Sequence, residues 1–143
     1  MSSRNPRADR ISGRREHGGL LIVPVVCNEI GIVAFLVDTG ASLTTINNRV
    51  ARRLAIDVDR PLRLQPIACP GPLTLSAPIV RMRSLRIGGL EVADLDVAVV
   101  AFPENLRFDG LLGVNVLQRF RPTFEFDTAT LVLRPRIPRA RTS

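Results

Sequence analysis

The sequence has no lysine, no tryptophan and no tyrosine, and it contains only two cysteines and one histidine. Cys27 lies in an apolar run and Cys69 in a proline-flanked loop, so we expect two free thiols rather than a disulfide framework. The usual spacing of a cysteine metal site is also absent. The only histidine, His17, lies in a polar N-terminal segment, which argues against a Ser-His-Asp or Cys-His arrangement within one chain.

Long apolar runs are missing as well. The longest run near the N-terminus, Leu20–Cys27, is interrupted by Pro24 and is far shorter than the roughly 20 residues that cross a bilayer. The residues before it carry arginine and glycine in place of the apolar core of a secretory signal. We therefore expect a cytoplasmic protein without a membrane partner.

Positive charge is in excess, with a formal net charge of +7, and every basic residue is an arginine. Part of the excess lies in two tails, Arg4, Arg7, Arg10, Arg14 and Arg15 at the front and Arg134, Arg136, Arg139 and Arg141 at the back. Basic tails can bind nucleic acid by neutralising phosphates. However, the chain has no tryptophan or tyrosine to stack on bases and no recognisable nucleic-acid motif. We expect solvated tails, and nucleic acid remains the less favoured partner.

The length of 143 residues suits one domain with a substantial core. Residues 1–18 are rich in arginine and lack periodicity, so we expect a disordered leader. Residues 19–134 are then the folded domain and residues 135–143 a basic C-terminal tail.

Strand patterns dominate this domain. Runs that favour strands are Leu20–Cys27, Gly31–Val37 and residues 62–65, 73–87 and 90–100, with a last pair at residues 123–127 and 130–133. Gly88-Gly89 predicts a hairpin turn. One short helix is predicted to begin at Asn47 or Asn48 and to end before Asp57, and a second covers residues 113–120. The chain is therefore expected to be mostly β, with a small closed or barrel-like sheet and one or two short helices.

A carboxylate follows directly after an apolar strand, in the segment Val37-Asp38-Thr39-Gly40-Ala41-Ser42. Burying a carboxylate at such a strand end is costly unless the site uses or shares its charge. Gly40 permits a close approach of chains, and the hydroxyls of Thr39 and Ser42 can form hydrogen bonds near the carboxylate. The segment is therefore the first candidate for catalysis.

This segment resembles the active-site loop of retropepsin-type aspartic peptidases, the family of retroviral proteases and their bacterial relatives. A later segment, Leu111-Leu112-Gly113, precedes a short helix with Asn115 and resembles the second signature of that family. A hairpin lies between the two segments and a strand pair follows them. The resemblance therefore extends over about residues 20–134 and implies a small closed acid-protease barrel.

The resemblance also implies a role for each matching residue. Asp38 would be the catalytic carboxylate, within the loop formed by Thr39, Gly40, Ala41 and Ser42. Thr39 would bond across a dimer axis, Gly40 would line the substrate backbone, and Ser42 would support the carboxylate from outside. Two further groups complete the implied site: Leu111, Leu112 and Gly113 beneath the loop, and Pro70, Gly71 and Pro72 at the tip of a flap. The two prolines make this turn stiffer than the usual glycine-rich flap.

One Asp-Thr-Gly supplies one carboxylate, whereas aspartic proteases are established to use two that share a proton. The resemblance therefore implies a homodimer that hydrolyses a polypeptide substrate with water activated between two Asp38 side chains, without metal or cofactor. Asp127-Thr128-Ala129 is a poor second loop because alanine replaces glycine. The apolar residues 131–133 are expected to offer an unpaired strand edge to the partner. The alternative is a catalytically silent module of the same fold that serves in binding or assembly.

Overall fold

The computed structural model describes residues 8–68 and 74–137. These residues form strands β1 Asp9–Ser12, β2 Arg14–Glu16, β3 Leu20–Cys27, β4 Gly31–Val37, β5 Thr45–Asn47, β6 Arg63–Ala68, β7 Thr74–Ile87, β8 Leu90–Val100, β9 Gly110–Leu112, β10 Phe120–Glu125 and β11 Thr130–Pro135. Two helices, α1 Asn48–Arg53 and α2 Val114–Leu117, complete the described structure. The prediction of a mostly β fold with one or two short helices is confirmed.

The main sheet has eight strands in the order β2-β3-β4-β9-β5-β8-β7-β6. A further antiparallel pairing joins β3 to β7, where Val26 faces Arg86 and Cys27 faces Leu85. Because β3 and β7 lie near opposite ends of this order, the extra pairing curls the sheet back on itself. Three other strands form a separate sheet in the order β1-β11-β10.

The interior of the curled sheet is filled by alternate residues of its strands. Val23, Val25 and Phe35 are fully buried and belong to one continuous apolar cluster. Gly110, at the start of β9, lies against the ring of Phe35, and a Cβ there would come within 2.6 Å of Cδ1 of that ring. The absence of a side chain at Gly110 therefore lets β9 lie beside β4.

Tight turns connect neighbouring strands where the sequence indicates them. Asn28 and Glu29 adopt positive φ angles of 52° and 59° between β3 and β4. Gly88 has a φ of 60° between β7 and β8, a conformation that glycine adopts at little cost. The amide of Gly89 donates to a carboxylate oxygen of Asp9 at 2.7 Å, which ties this turn to β1.

The segment expected to be a disordered leader is ordered in its described part. β1 pairs antiparallel with β11, β2 pairs with β3, and Ile11 is buried. The prediction of disorder is therefore wrong for Asp9–Ser12 and Arg14–Glu16. The reason is physical: β1 gains its hydrogen bonds from the distant strand β11, and β2 gains them from the apolar strand β3 that follows it, so the polar composition of the segment does not reveal them.

The expectation of an unpaired edge at residues 131–133 is also wrong. β11 is the central strand of its sheet, with β1 on one side and β10 on the other. Leu131, Val132 and Leu133 are all buried within the chain. The edges of this sheet are β1 and β10. In the part of the chain that the structure describes, neither helix has the length and apolar character needed to span a membrane.

Candidate active site

Asp38 follows directly after the last residue of β4, which lies beside β9 in the sheet. The two strands are parallel, with Leu36 opposite Leu111 and Val37 opposite Leu112. The pairing extends one step further, because the amide of Asp38 donates to the carbonyl of Leu112 at 3.0 Å. The structure therefore places Leu111 and Leu112 beside the Asp38 loop, and their predicted role in the site stays a prediction.

The carboxylate of Asp38 is half-buried and is fixed by its own loop. The amide of Gly40 donates to Oδ1 of Asp38 at 2.9 Å, and the amide of Ala41 donates to the carbonyl of Asp38 at 3.3 Å. Within the described residues, Oδ2 of Asp38 has no hydrogen-bond partner. One carboxylate oxygen is therefore held in place while the other is available to a ligand.

The loop is joined directly to the second candidate segment. The amide of Val114 donates to the carbonyl of Ala41 at 2.7 Å, and the amide of Asn115 donates to the carbonyl of Ser42 at 3.2 Å. A Cβ at Gly113 would lie 2.8 Å from the carbonyl oxygen of Ala41 and 2.7 Å from the backbone carbon of Leu43. Backbone atoms cannot move aside as a flexible side chain does, so this contact requires glycine.

A buried threonine, Thr44, completes the connection, and sequence reasoning did not identify it. The hydroxyl of Thr44 donates to Oδ1 of Asn115 at 2.7 Å and accepts from the amide of Gly113 at 3.0 Å. Oδ1 of Asn115 also accepts from the amide of Thr44, and its Nδ2 donates to the carbonyl of Asp96. Thr44 is followed by Thr45 in the sequence, and the local sequence does not show which of the two forms the hydrogen bonds with the distant Asn115.

The two residues of the predicted loop that carry hydroxyls are exposed. Thr39 and Ser42 both face solvent in the single chain. The hydroxyl of Ser42 forms no hydrogen bond with another described residue, whereas the backbone carbonyl of Ser42 accepts a hydrogen bond from the amide of Asn115. The roles predicted for these hydroxyls, across a dimer axis and outside the carboxylate, stay predictions.

A cleft with a volume of about 750 Å³ opens beside Asp38. Its floor includes Ala41, Leu43 and Leu111, and its other wall comes from Gln65, Pro66 and Ile67 of β6. Asp38 is the one acidic residue among the described residues that line it. β6 pairs antiparallel with β7, and the predicted role of this hairpin as a flap stays a prediction. The predicted flap tip at Pro70, Gly71 and Pro72 lies outside the described residues.

Other reactive groups in the described chain do not form a second site. Burial raises the pKa of the Cys27 thiol to about 12, and the nearby charge of Arg53 lowers it only in part. A thiol with this pKa is protonated at neutral pH and is a poor nucleophile. Within residues 8–68 and 74–137, no three histidine, cysteine or acidic side chains are grouped so that they could bind a metal ion.

Comparison with known proteins identifies the family of the chain. A family model described as aspartyl protease matches residues 23–116, a range that contains both the Asp38 loop and the Gly113 segment. None of the curated proteins shows significant sequence similarity to the chain. Among solved structures, a retropepsin-like aspartic protease from Rickettsia conorii is 25% identical, with a TM-score of 0.67 over 93% of this chain and 96% of that chain.

Two further structures are less similar. The retroviral protease-like domain of Ddi1 from Leishmania major is 19% identical, with a TM-score of 0.47 over 81% of this chain and 94% of that chain. The EIAV protease complexed with the inhibitor HBY-793 is 18% identical, with a TM-score of 0.47 over 69% of this chain and 86% of that chain. Since the family model covers more than half of the sequence, the chain belongs to the aspartyl protease family and has a retropepsin-like fold.

Proposed function

We propose that the chain is an aspartic endopeptidase that acts as a homodimer, with Asp38 of each protomer at a shared active site. The observation that carries this proposal is the setting of Asp38 in its cleft. The Gly40 amide fixes one carboxylate oxygen, and the other has no partner among the described residues. A carboxylate held in this way can exchange a proton with a water molecule or a substrate carbonyl without first rearranging its loop.

Two such carboxylates are needed for the reaction. In the dimer, one Asp38 would be ionised and would take a proton from water, while its protonated copy would donate to the oxygen of the scissile carbonyl. The two side chains would share one proton, so the activity should have a bell-shaped pH profile on the acidic side. The chemistry requires no cofactor.

A second chain is the proposed source of the other carboxylate. Among the described residues that line the cleft, Asp38 is the one acid, so a single chain has half of the pair. Two-fold symmetry would place each loop beside its copy. Thr39 is exposed directly next to Asp38, where it can bond to the partner loop.

An apolar patch next to Thr39 supports this arrangement. A hollow of about 140 Å³ is lined by Leu21, Val37, Thr39, Phe124 and Phe126. Phe126 is 51% exposed, although such aromatic rings gain much from burial. Phe124 lies in β10, which is an edge strand of the three-stranded sheet and therefore has one side without a paired strand in the described part of that sheet. A second copy that covers this patch would bury its rings and bring the Asp38 loops together.

The proposed substrate is a polypeptide in an extended conformation. The cleft is open and contains the apolar side chains of Leu43 and Leu111 together with the polar Gln65. The β6–β7 hairpin, with Pro70, Gly71 and Pro72 as its proposed tip, would close over the bound chain. We further propose a cytoplasmic location, because the scarcity of cysteine and the buried free thiol of Cys27 suit a reducing compartment.

Cleavage of a peptide library tests the assignment of Asp38. The Asp38→Asn variant keeps the side-chain volume but cannot shuttle a proton, so its rate should fall at least about a hundredfold. Asp94→Asn is the matched control, since Asp94 is exposed and has a φ of 51°, a conformation that asparagine tolerates. Retained activity in the first variant would contradict the assignment. A folded wild type that cleaves no peptide at any pH would favour the silent module.

A further inference from the structure

A second cavity, separate from the cleft, collects positive charge. It has a volume of about 550 Å³ and is bounded by β2, β4, α1 and the loop before β9. Its charged wall residues are Arg14, Arg49, Arg53, Arg107, Glu16 and Asp109. Four arginines therefore face two carboxylates, and the wall has a surplus of positive charge. We call this hollow the basic cavity.

Of these four arginines, only Arg14 lies within hydrogen-bond distance of either carboxylate. Glu16 forms a close ion pair with Arg14 at 3.1 Å, but it lies 3.8 Å from Nε of Arg107. Asp109 lies 3.7 Å from the nearest guanidinium nitrogen of Arg49. Both longer distances exceed those of hydrogen bonds. Within the described residues, the guanidinium groups of Arg49 and Arg107 donate no hydrogen bond to a side chain or a carbonyl.

The backbone around the basic cavity is held in place. The amide of Asp109 donates to the carbonyl of Ala34 at 2.9 Å, and the carbonyl of Asp109 accepts from the amide of Asn47 at 2.9 Å. A guanidinium nitrogen of Arg53 donates to the carbonyl of Ile32 at 3.1 Å. The arginines therefore project from a fixed backbone frame, and the planar fork of each guanidinium group is preorganised for hydrogen bonds to an oxyanion.

We propose that the basic cavity binds a compact oxyanion of more than one negative charge, either a phosphate group or the carboxylates of an acidic peptide segment. Guanidinium groups donate paired hydrogen bonds to both of these groups. Among the described residues, no aromatic side chain lines the wall to stack on bases, so a nucleic-acid strand fits the cavity poorly. The proposal does not depend on catalysis by Asp38.

Calorimetric titration of the full chain tests this site directly. The probes are inorganic phosphate and an N-acetylated tetraglutamate amide, each at a constant ionic strength set with sodium chloride so that diffuse attraction is screened. The site variant is Arg49→Gln/Arg107→Gln, whose side chains are 57% and 72% exposed and are therefore replaceable without loss of the fold. The control is Arg86→Gln/Arg119→Gln, which removes the same charge from exposed positions outside the basic cavity.

We expect the wild type and the control to bind with the same Kd, and the site variant to bind at least about tenfold more weakly, since charge-assisted hydrogen bonds are lost. The probe with the lower Kd identifies the source of the oxyanion. Should the site variant misfold by circular dichroism, Arg107→Gln alone serves in its place. Absence of binding by either probe, or an equal Kd for the site variant and the control, would overturn the proposal.

Discussion

The side chains of Thr44 and Asn115 meet at 2.7 Å inside the chain, although they are 71 residues apart in the sequence. The same hydroxyl accepts a hydrogen bond from the amide of Gly113, so this buried group adds a side-chain link to the backbone hydrogen bonds between the Asp38 loop and the second signature. Thr44 is fully buried, and no water can replace its hydroxyl without rearrangement. The position of the loop therefore depends on a side chain outside the Asp-Thr-Gly motif.

Replacing Thr44 by valine tests this connection. Valine keeps the shape but leaves the amide of Gly113 without an acceptor, which should lower the free energy of unfolding by about 1–3 kcal/mol. Thr44→Ser is the control, because serine keeps the hydroxyl and loses only a methyl group. Urea unfolding of both variants gives the comparison. Equal stability of the valine and serine variants would show that the hydroxyl has no such role.

Cys27 gives a prediction about stability at alkaline pH. Burial raises the pKa of its thiol from 9.0 to about 12. The thiol of the unfolded chain loses its proton first, so the stabilisation is fully present below pH 9 and is lost as the pH rises toward 12. With no lysine or tyrosine in the sequence, few other side chains titrate in this range.

We therefore expect the wild type to lose about 1 kcal/mol more stability than Cys27→Ala between pH 8 and pH 10. Urea unfolding at the two pH values measures this difference. The alanine variant is less stable at both values because it leaves a cavity, so only the change with pH is informative. An identical change in both proteins would show that the buried thiol does not cause the loss of stability between pH 8 and pH 10.

Phe126 tests the position of the proposed dimer interface. Phe126→Glu would place a charge in the apolar patch beside Thr39, so we expect it to sediment as a monomer and to lose activity. Ile32→Glu is the control, since the side chain of Ile32 is 67% exposed and does not line the patch. If Phe126→Glu remains a dimer at the concentrations where the control does, the interface lies elsewhere.

Local patterns in the sequence were sufficient for much of the fold. The bounds of Leu20–Cys27 and Gly31–Val37 and the Gly88-Gly89 turn are confirmed, because alternating burial and turn residues are encoded within a few positions. The Asp38 loop could be singled out from a carboxylate that follows an apolar strand, whereas the Gly113 segment could be found only through the resemblance to a family. Their adjacency arises from a parallel pairing of strands that are distant in sequence.

Pairings between distant segments were not predictable in the same way. Arg10 and Glu125 form an ion pair of 2.8 Å across 115 residues, in a sheet that includes part of the expected leader. The burial of Thr44 depends on Asn115, and the central position of β11 depends on β1. In each case the determining partner is supplied by the tertiary fold, so neither propensity nor charge pattern contains the information.

The most direct test of the account is the activity of wild-type chains mixed with Asp38→Asn chains. If each active site needs one Asp38 from each of two protomers, a ninefold excess of the variant should lower the activity per wild-type chain to about one tenth, because random pairing leaves few dimers with both carboxylates. Asp94→Asn chains in the same excess should not inhibit the wild type. Activity per wild-type chain that is unchanged by the Asp38→Asn excess, after time for exchange of protomers, would contradict the shared site.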